Sequence, residues 1–173
     1  MSLIAHFQML ARYNTLANRR LYEACAALDD AERGKERYGS FGSLHRTLNH
    51  IMLGDRIWMG RFEGGGSTTP PLDGVLYTNF ADLRAAREAE DSRIEAFMSN
   101  LADEFLQREI RYINSRGDLH ADPASLAIAH LFNHQTHHRG QVHVMLSQTQ
   151  VKPPSLDMHR LIRPDAVRVQ SLS

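Results

Sequence analysis

An all-α protein folded as an antiparallel four-helix bundle is what this sequence predicts, on three observations. Apolar residues recur at three- and four-residue intervals through four long segments. Proline- and glycine-rich connectors separate those segments. The chain length of 173 residues, with 42% hydrophobic and 23% charged residues, suits one core and leaves no room for a disordered or disulfide-stapled reading. We therefore expect a single domain over 1–173, with helices at about 2–28, 43–62, 79–101 and 123–148 and a tail over 152–173.

The first helix is predicted by Leu3, Phe7, Leu10, Tyr13, Leu16, Ala17, Leu21, Ala24 and Leu28, which trace one face at the helical period. Asp29, Asp30 and Gly34 interrupt that pattern, so the stretch to Gly42 reads as a connector, and Ser43 is a fitting N-cap for the second helix. The EGGGSTTPPLD segment, 63–73, joins flexible glycines to two prolines that cannot continue a helix, and is read as a loop. In the third helix Phe80, Leu83, Ala86, Ile94, Phe97, Met98 and Leu101 alternate with arginines and acids, whose charges read as a solvated face. Ile110, Tyr112 and the NSRGD turn then suggest a short hairpin or extended connector, in which RGD reflects turn chemistry rather than adhesion. Asp122-Pro123 reads as an N-cap followed by proline at the first helical position, opening a fourth helix that Lys152-Pro153-Pro154 brings to a stop.

Charge narrows the function classes. Lys+Arg and Asp+Glu are each 20, for a formal net charge of +0, so no general attraction to nucleic acid or to an anionic membrane is expected. No apolar run reaches the ~18 residues needed to span a bilayer. With one cysteine, Cys25, and no secretion signal at the N-terminus, a cytoplasmic protein is expected. Cys25 has no basic neighbours to lower its pKa, so a catalytic thiol is not expected of it. The unusual feature is 10 histidines.

Five of these lie on the fourth helix: His130, His134, His137, His138 and His143. At about 100° per residue His134 and His138 share the arc of Ala127, Leu131, Val142 and Met145, whereas His143 points elsewhere and His130 and His137 sit on the margin. A histidine pair at i, i+4 stacks two imidazoles close enough to chelate one transition ion. Two ligands leave a site incomplete, so a third is expected from another helix. On the second helix His50 is a better inward candidate than His45, and His6 on the first helix stays open. A single histidine on a partly apolar face is ordinarily a hydrogen-bonded core residue, but two neutral imidazoles side by side demand several partners, a demand that a cation removes.

The fragments LNHIMLGDRIWMGRF and HLFNHQTHHRGQV, with the late PPSLDMHRLIRP segment, resemble the DinB family in order and spacing over nearly the whole chain. The resemblance implies a DinB-like four-helix bundle with a divalent-metal site made of His50, His134 and His138, with His137 outside the ligand set. It also implies a homodimer, and kinship with thiol-dependent transferases and isomerases.

Three neutral imidazoles leave the full charge on such an ion, zinc or nickel first among the candidates, which can acidify a bound water or a low-molecular-weight thiol cosubstrate. The motif is HQTHH rather than HExxH, so Gln135 stands where a zincin protease has its general base. Asp55 falls on the apolar arc of its helix and is expected to pair with an arginine, a tyrosine or a ligand histidine. Gln141 faces the metal side and is a candidate substrate contact, whereas Arg139 lies off that arc and should stabilise the bundle. Trp58, Phe62, Tyr13 and Met145 are expected to be mostly core. The expected function is a metal-dependent enzyme of thiol-transferase or hydrolase type, with no catalytic residue singled out. The alternative is a non-catalytic stress-response or binding bundle with a structural or vestigial metal site.

Overall fold

The structure, a computed structural model, describes residues 1–65 and 73–165. In chain order the elements are α1 (Leu3–Ala26), α2 (Asp30–Gly34), α3 (Leu44–Phe62), α4 (Phe80–Ser99), α5 (Asp103–Leu106), β1 (Glu109–Ile113), β2 (Leu119–Pro123), α6 (Ala124–Leu146) and α7 (Met158–Ile162). The four long helices close a ring in which α1 packs on α4, α4 on α3, α3 on α6 and α6 on α1. This is the all-α bundle that the periodicity predicts. No helix among the described residues is long and apolar enough to cross a membrane.

Side-chain caps start three of the four long helices. Ser2 accepts from the Ala5 amide, Ser43 from the Arg46 amide, and Asn79 from the amides of Ala81 and Asp82. The fourth departs from expectation. Asp122 does not cap α6, because Asp122 and Pro123 belong to β2, and the Asp122 carboxylate accepts a 2.7 Å hydrogen bond from the Tyr112 hydroxyl. The first α6 amide, that of Ala124, donates instead to the Arg108 carbonyl at 2.9 Å. A tertiary contact has replaced the local cap.

β1 and β2 pair antiparallel, with Ile110 opposite Asp122 and Tyr112 opposite His120. The Asn114 side chain accepts from the amides of Arg116 and Asp118, and Gly117 takes φ 87°, so the RGD tripeptide sits in the hairpin turn. The connector before α3 is more ordered than a plain link. It contains α2, and it buries Arg33, which donates to the carbonyls of Cys25 and Leu28, and Arg37, which donates to the Glu32 carbonyl and carboxylate. Of the loop expected over 63–73, residues 66–72 lie outside the described residues, as do residues 166–173 of the tail.

Two large apolar clusters fill the bundle, and a smaller one joins Tyr13, Ala17 and Leu161. One gathers Phe7, Met59, Phe62, Ile94, Met98, Ile128 and Leu131. The other gathers Leu21, Leu44, Leu48, Met52, Leu83, Val142 and Met145. Between these levels every long helix contributes a buried polar residue: Asn14 and Asn18 from α1, Asp55 from α3, Arg87 and Asp91 from α4, Gln135 and Arg139 from α6. Arg87 pairs with Asp55 and, at 3.0 Å, with Asp91, whose carboxylate also accepts from Asn14 and Asn18. Gln135 donates to Asp55, and Arg139 donates to Asn14 and Gln135. The α4 charges expected on a solvated face are thus partly internal: Arg87, Glu90 and Asp91 are buried. Burying a charge is costly unless it is paired, and here partners from α1, α3 and α4 itself engage these groups.

Candidate metal centre

Between α3 and α6, beside this polar layer, three imidazoles converge. His50 comes from α3, and His134 and His138 come from successive turns of α6. Their ring centroids lie 5.0, 4.5 and 4.4 Å apart, and one nitrogen from each falls within 4.8 Å of the others. The Nε2 atoms of His50 and His134 are 3.0 Å apart. Tetrahedral Zn–N bonds of about 2.05 Å place two ligand nitrogens roughly 3.3 Å apart, so the spacing and the all-imidazole donor set fit a divalent transition ion.

The surroundings favour the ligand form of the two α6 rings. His138 places Nδ1 2.9 Å from the Gln141 Oε1, which can only accept, so Nδ1 carries the proton and Nε2 keeps its lone pair. The Gln141 amide nitrogen lies 3.4 Å from the Ser40 hydroxyl and 3.2 Å from the His137 Nε2. Burial, reinforced by the neighbouring His138 and His50, pushes the His134 pKa down to about 3. Burial lowers His138 too, against an opposing pull from Gln141. Neutral imidazole, the state that binds metal, is therefore the resting form of His134 and His138.

Two residues that sequence reasoning passed over shape this centre. Gly54 lies one turn along α3 from His50, and a Cβ there would stand 2.6 Å from the His134 Cε1 and 3.1 Å from its Nδ1. Only a glycine leaves the His134 ring its place. Phe41, from the connector before α3, stacks on His50 with centroids 3.8 Å apart and a 21° interplanar angle, and meets His138 edge-on at 5.5 Å. An aromatic between Gly39 and Gly42, the latter at φ 72°, was the available signal. Beyond it the 36–42 segment and α6 bound a cleft of about 1060 Å³, lined by Arg37, Tyr38, Ser40, His137, Gln141 and Val144 among others.

The other candidates fall elsewhere. His45 bonds the Tyr77 carbonyl at 2.8 Å, His143 bonds the Pro154 carbonyl at 3.1 Å, and His6 packs beside Phe7 outside the cluster. His137 serves Gln141 and is no part of the cluster. Of its three possible partners Asp55 takes an arginine, Arg87. Gln135 turns away from the three histidines to bond Asp55, which leaves no general base at the zincin position. Arg139 does tie the bundle together, from a buried position. Phe62, Tyr13 and Met145 are core, whereas Trp58 is only partly buried.

A ring of four long helices with a three-histidine cluster between two of them defines a class: helical bundles with a cluster on one flank that could hold an ion. The sequence places the chain within that class. The model of the DinB family matches residues 1–169, and the chain belongs to that family. It is 25% identical over 148 residues to Protein DinB of Bacillus subtilis (strain 168), covering 80% of this chain and 83% of that protein. The crystal structure of a DinB-like protein from Bacillus cereus ATCC 10987 superposes with a TM-score of 0.62 at 22% identity, covering 82% of this chain and 91% of the other. That likeness is one of fold.

Proposed function

We propose that the protein is a metal-dependent enzyme in which His50, His134 and His138 hold a divalent transition ion, zinc or nickel, and whose reaction is a thiol transfer or a hydrolysis. The observation carrying this reading is the convergence of three imidazole nitrogens within 4.8 Å, two of them on rings whose pKa is depressed. When bound, the ion supplies a Lewis acid that lowers the pKa of a coordinated water or low-molecular-weight thiol. The chain's residues hold the geometry: Gln141 fixes the His138 tautomer, Gly54 admits the His134 ring, and Phe41 shields His50 from water. The buried Asp55 carboxylate of the same helix as His50 is taken up by Arg87 and Gln135.

In this reading the substrate and the thiol cosubstrate are small molecules rather than nucleic acid or membrane. The protein works in the cytoplasm and as a homodimer. Phe41 over His50 favours one further reading, in which the ion is structural and the protein is a non-catalytic binding bundle. Metal content and exchange decide between them. Protein purified without a His-tag and reconstituted should hold one ion per chain, and an enzyme's ion with an open position should bind an added thiol, visible in the spectrum of the cobalt form. Metal binding without any thiol or turnover response supports the structural reading, and failure to bind metal removes both and leaves a non-catalytic bundle with a vestigial site.

A further inference from the structure

Along α3, His50, Gly54, Trp58 and Arg61 follow one another at steps of four, four and three residues and so share a face. On the antiparallel α6, His138, His134 and His130 run beside them. The result is a row of rings leading away from the three histidines. His134 is followed by His130 at 6.0 Å, then Trp58 at 5.1 Å from His130, then Tyr112 of the hairpin at 5.3 Å from Trp58. At its end the Arg61 guanidinium lies between two aromatic faces, 4.5 Å from the Trp58 ring and 4.0 Å from the Tyr112 ring. That position is about 10 Å along α3 from Gly54, seven residues at ~1.5 Å each.

Among the described residues Arg61 is a cation without an anion. Among the described residues no carboxylate lies within ion-pair distance of it, its Nε is buried with no hydrogen-bond partner, and its Nη2 makes only a long 3.4 Å contact with the Ile113 carbonyl. The nearby Asp122 carboxylate is engaged by the Tyr112 hydroxyl. A half-buried guanidinium, oriented by two aromatic faces and with its fork unfilled, matches a carboxylate or phosphate.

We propose that Arg61, held between Trp58 and Tyr112, is the anion-binding subsite of the substrate, so that the substrate class is an extended small molecule with a carboxylate or phosphate roughly 10 Å from the end that meets the three histidines. The subsite stands on its own geometry; its link to a reacting group rests on the metal-dependent reading above.

Trp58 is the only tryptophan in the chain, so its emission reports on this position directly. Metal-free wild type is titrated with butyrate, inorganic phosphate and neutral butyramide, alongside Arg61→Met and Arg61→Lys, with folding checked by circular dichroism. The expected result is a saturable emission change with at least one anion and none with butyramide. The affinity should fall about tenfold or more in Arg61→Met, the factor a lost charge-assisted hydrogen bond carries, and less in Arg61→Lys. The stronger of butyrate and phosphate identifies the anion. Silence with both anions, or a response that survives in folded Arg61→Met, overturns the subsite and leaves Arg61 as a staple of the hairpin. The cobalt form then receives 6-mercaptohexanoate and 6-mercaptohexanol. A preference for the carboxylate that Arg61→Met abolishes supports the link between the two ends, and equal affinities overturn it. If Trp58 responds but neither thiol perturbs the cobalt bands, the anion subsite stands and thiol activation falls.

Discussion

An alanine at position 54 would set a methyl carbon 2.6 Å from the His134 Cε1, 3.1 Å from Nδ1 and 3.4 Å from Nε2. Ordinary carbon contacts begin near ~3.5 Å, so the imidazole has to retreat by about 1 Å. Metal sites tolerate about ±0.2 Å in ligand distance, so His134 would leave its ligand position while His50 and His138 keep theirs. Disturbing the support of a ligand typically costs about 10–100-fold in metal affinity, and displacing the ligand itself costs at least that much. The effect on folding is small by comparison. Overpacking costs about 1–3 kcal/mol, against which replacing glycine by alanine inside a helix gains roughly 1 kcal/mol. We therefore expect Gly54→Ala to lose metal affinity by a factor of about 10–100 or more in a chelator competition. Its metal-free urea unfolding should move by no more than about 2 kcal/mol. Wild-type affinity in Gly54→Ala would refute the argument that this glycine makes room for a ligand.

The buried polar layer and the cysteine give two further expectations. Asp55→Ala leaves Arg87 short of a partner in a fully buried position, so it should cost about 3–5 kcal/mol of unfolding free energy, and a loss below 1 kcal/mol would mean that Asp91 alone suffices for Arg87. Burial pushes the Cys25 thiol up to about 12, with Arg33 pulling weakly the other way. The native thiol therefore stays protonated at neutral pH, and iodoacetamide should label it only after unfolding. Because the folded pKa is the higher one, Cys25 contributes stability that is fully present below the ordinary thiol pKa and is lost as pH rises from about 9 towards 12. Labelling of the native protein at pH 8 on the timescale of a free thiol would contradict this burial.

The long helices are legible in the sequence because packing on one core imposes the same period on all of them. The hairpin is legible from its turn, where Asn114 and Gly117 act through their own backbone. What escapes is what depends on distant partners. Arg87, Glu90 and Asp91 look like surface charges on an amphipathic helix, and only residues from α1 and α3 make their burial affordable. Asp122-Pro123 carries every local mark of a helix start, yet pairing with β1 and the Arg108 carbonyl decide otherwise. The same contrast holds in the site. His134 and His138 announce themselves through i, i+4 spacing, whereas the side of α3 makes His50 only a better candidate than His45, and the DinB resemblance is what names it. Gly54 is defined by a ring on another helix, and Phe41 by a connector whose path no periodicity reveals.

Metal content per chain tests the central claim most directly. Untagged protein, stripped, reconstituted with zinc or nickel and freed of excess, should carry one ion per chain by elemental analysis. His50→Ala, His134→Ala and His138→Ala should each lose that ion while keeping the helical circular dichroism of the wild type. A wild type that takes up no ion, or folded variants that keep a full equivalent, would contradict the assignment of the three histidines as its ligands.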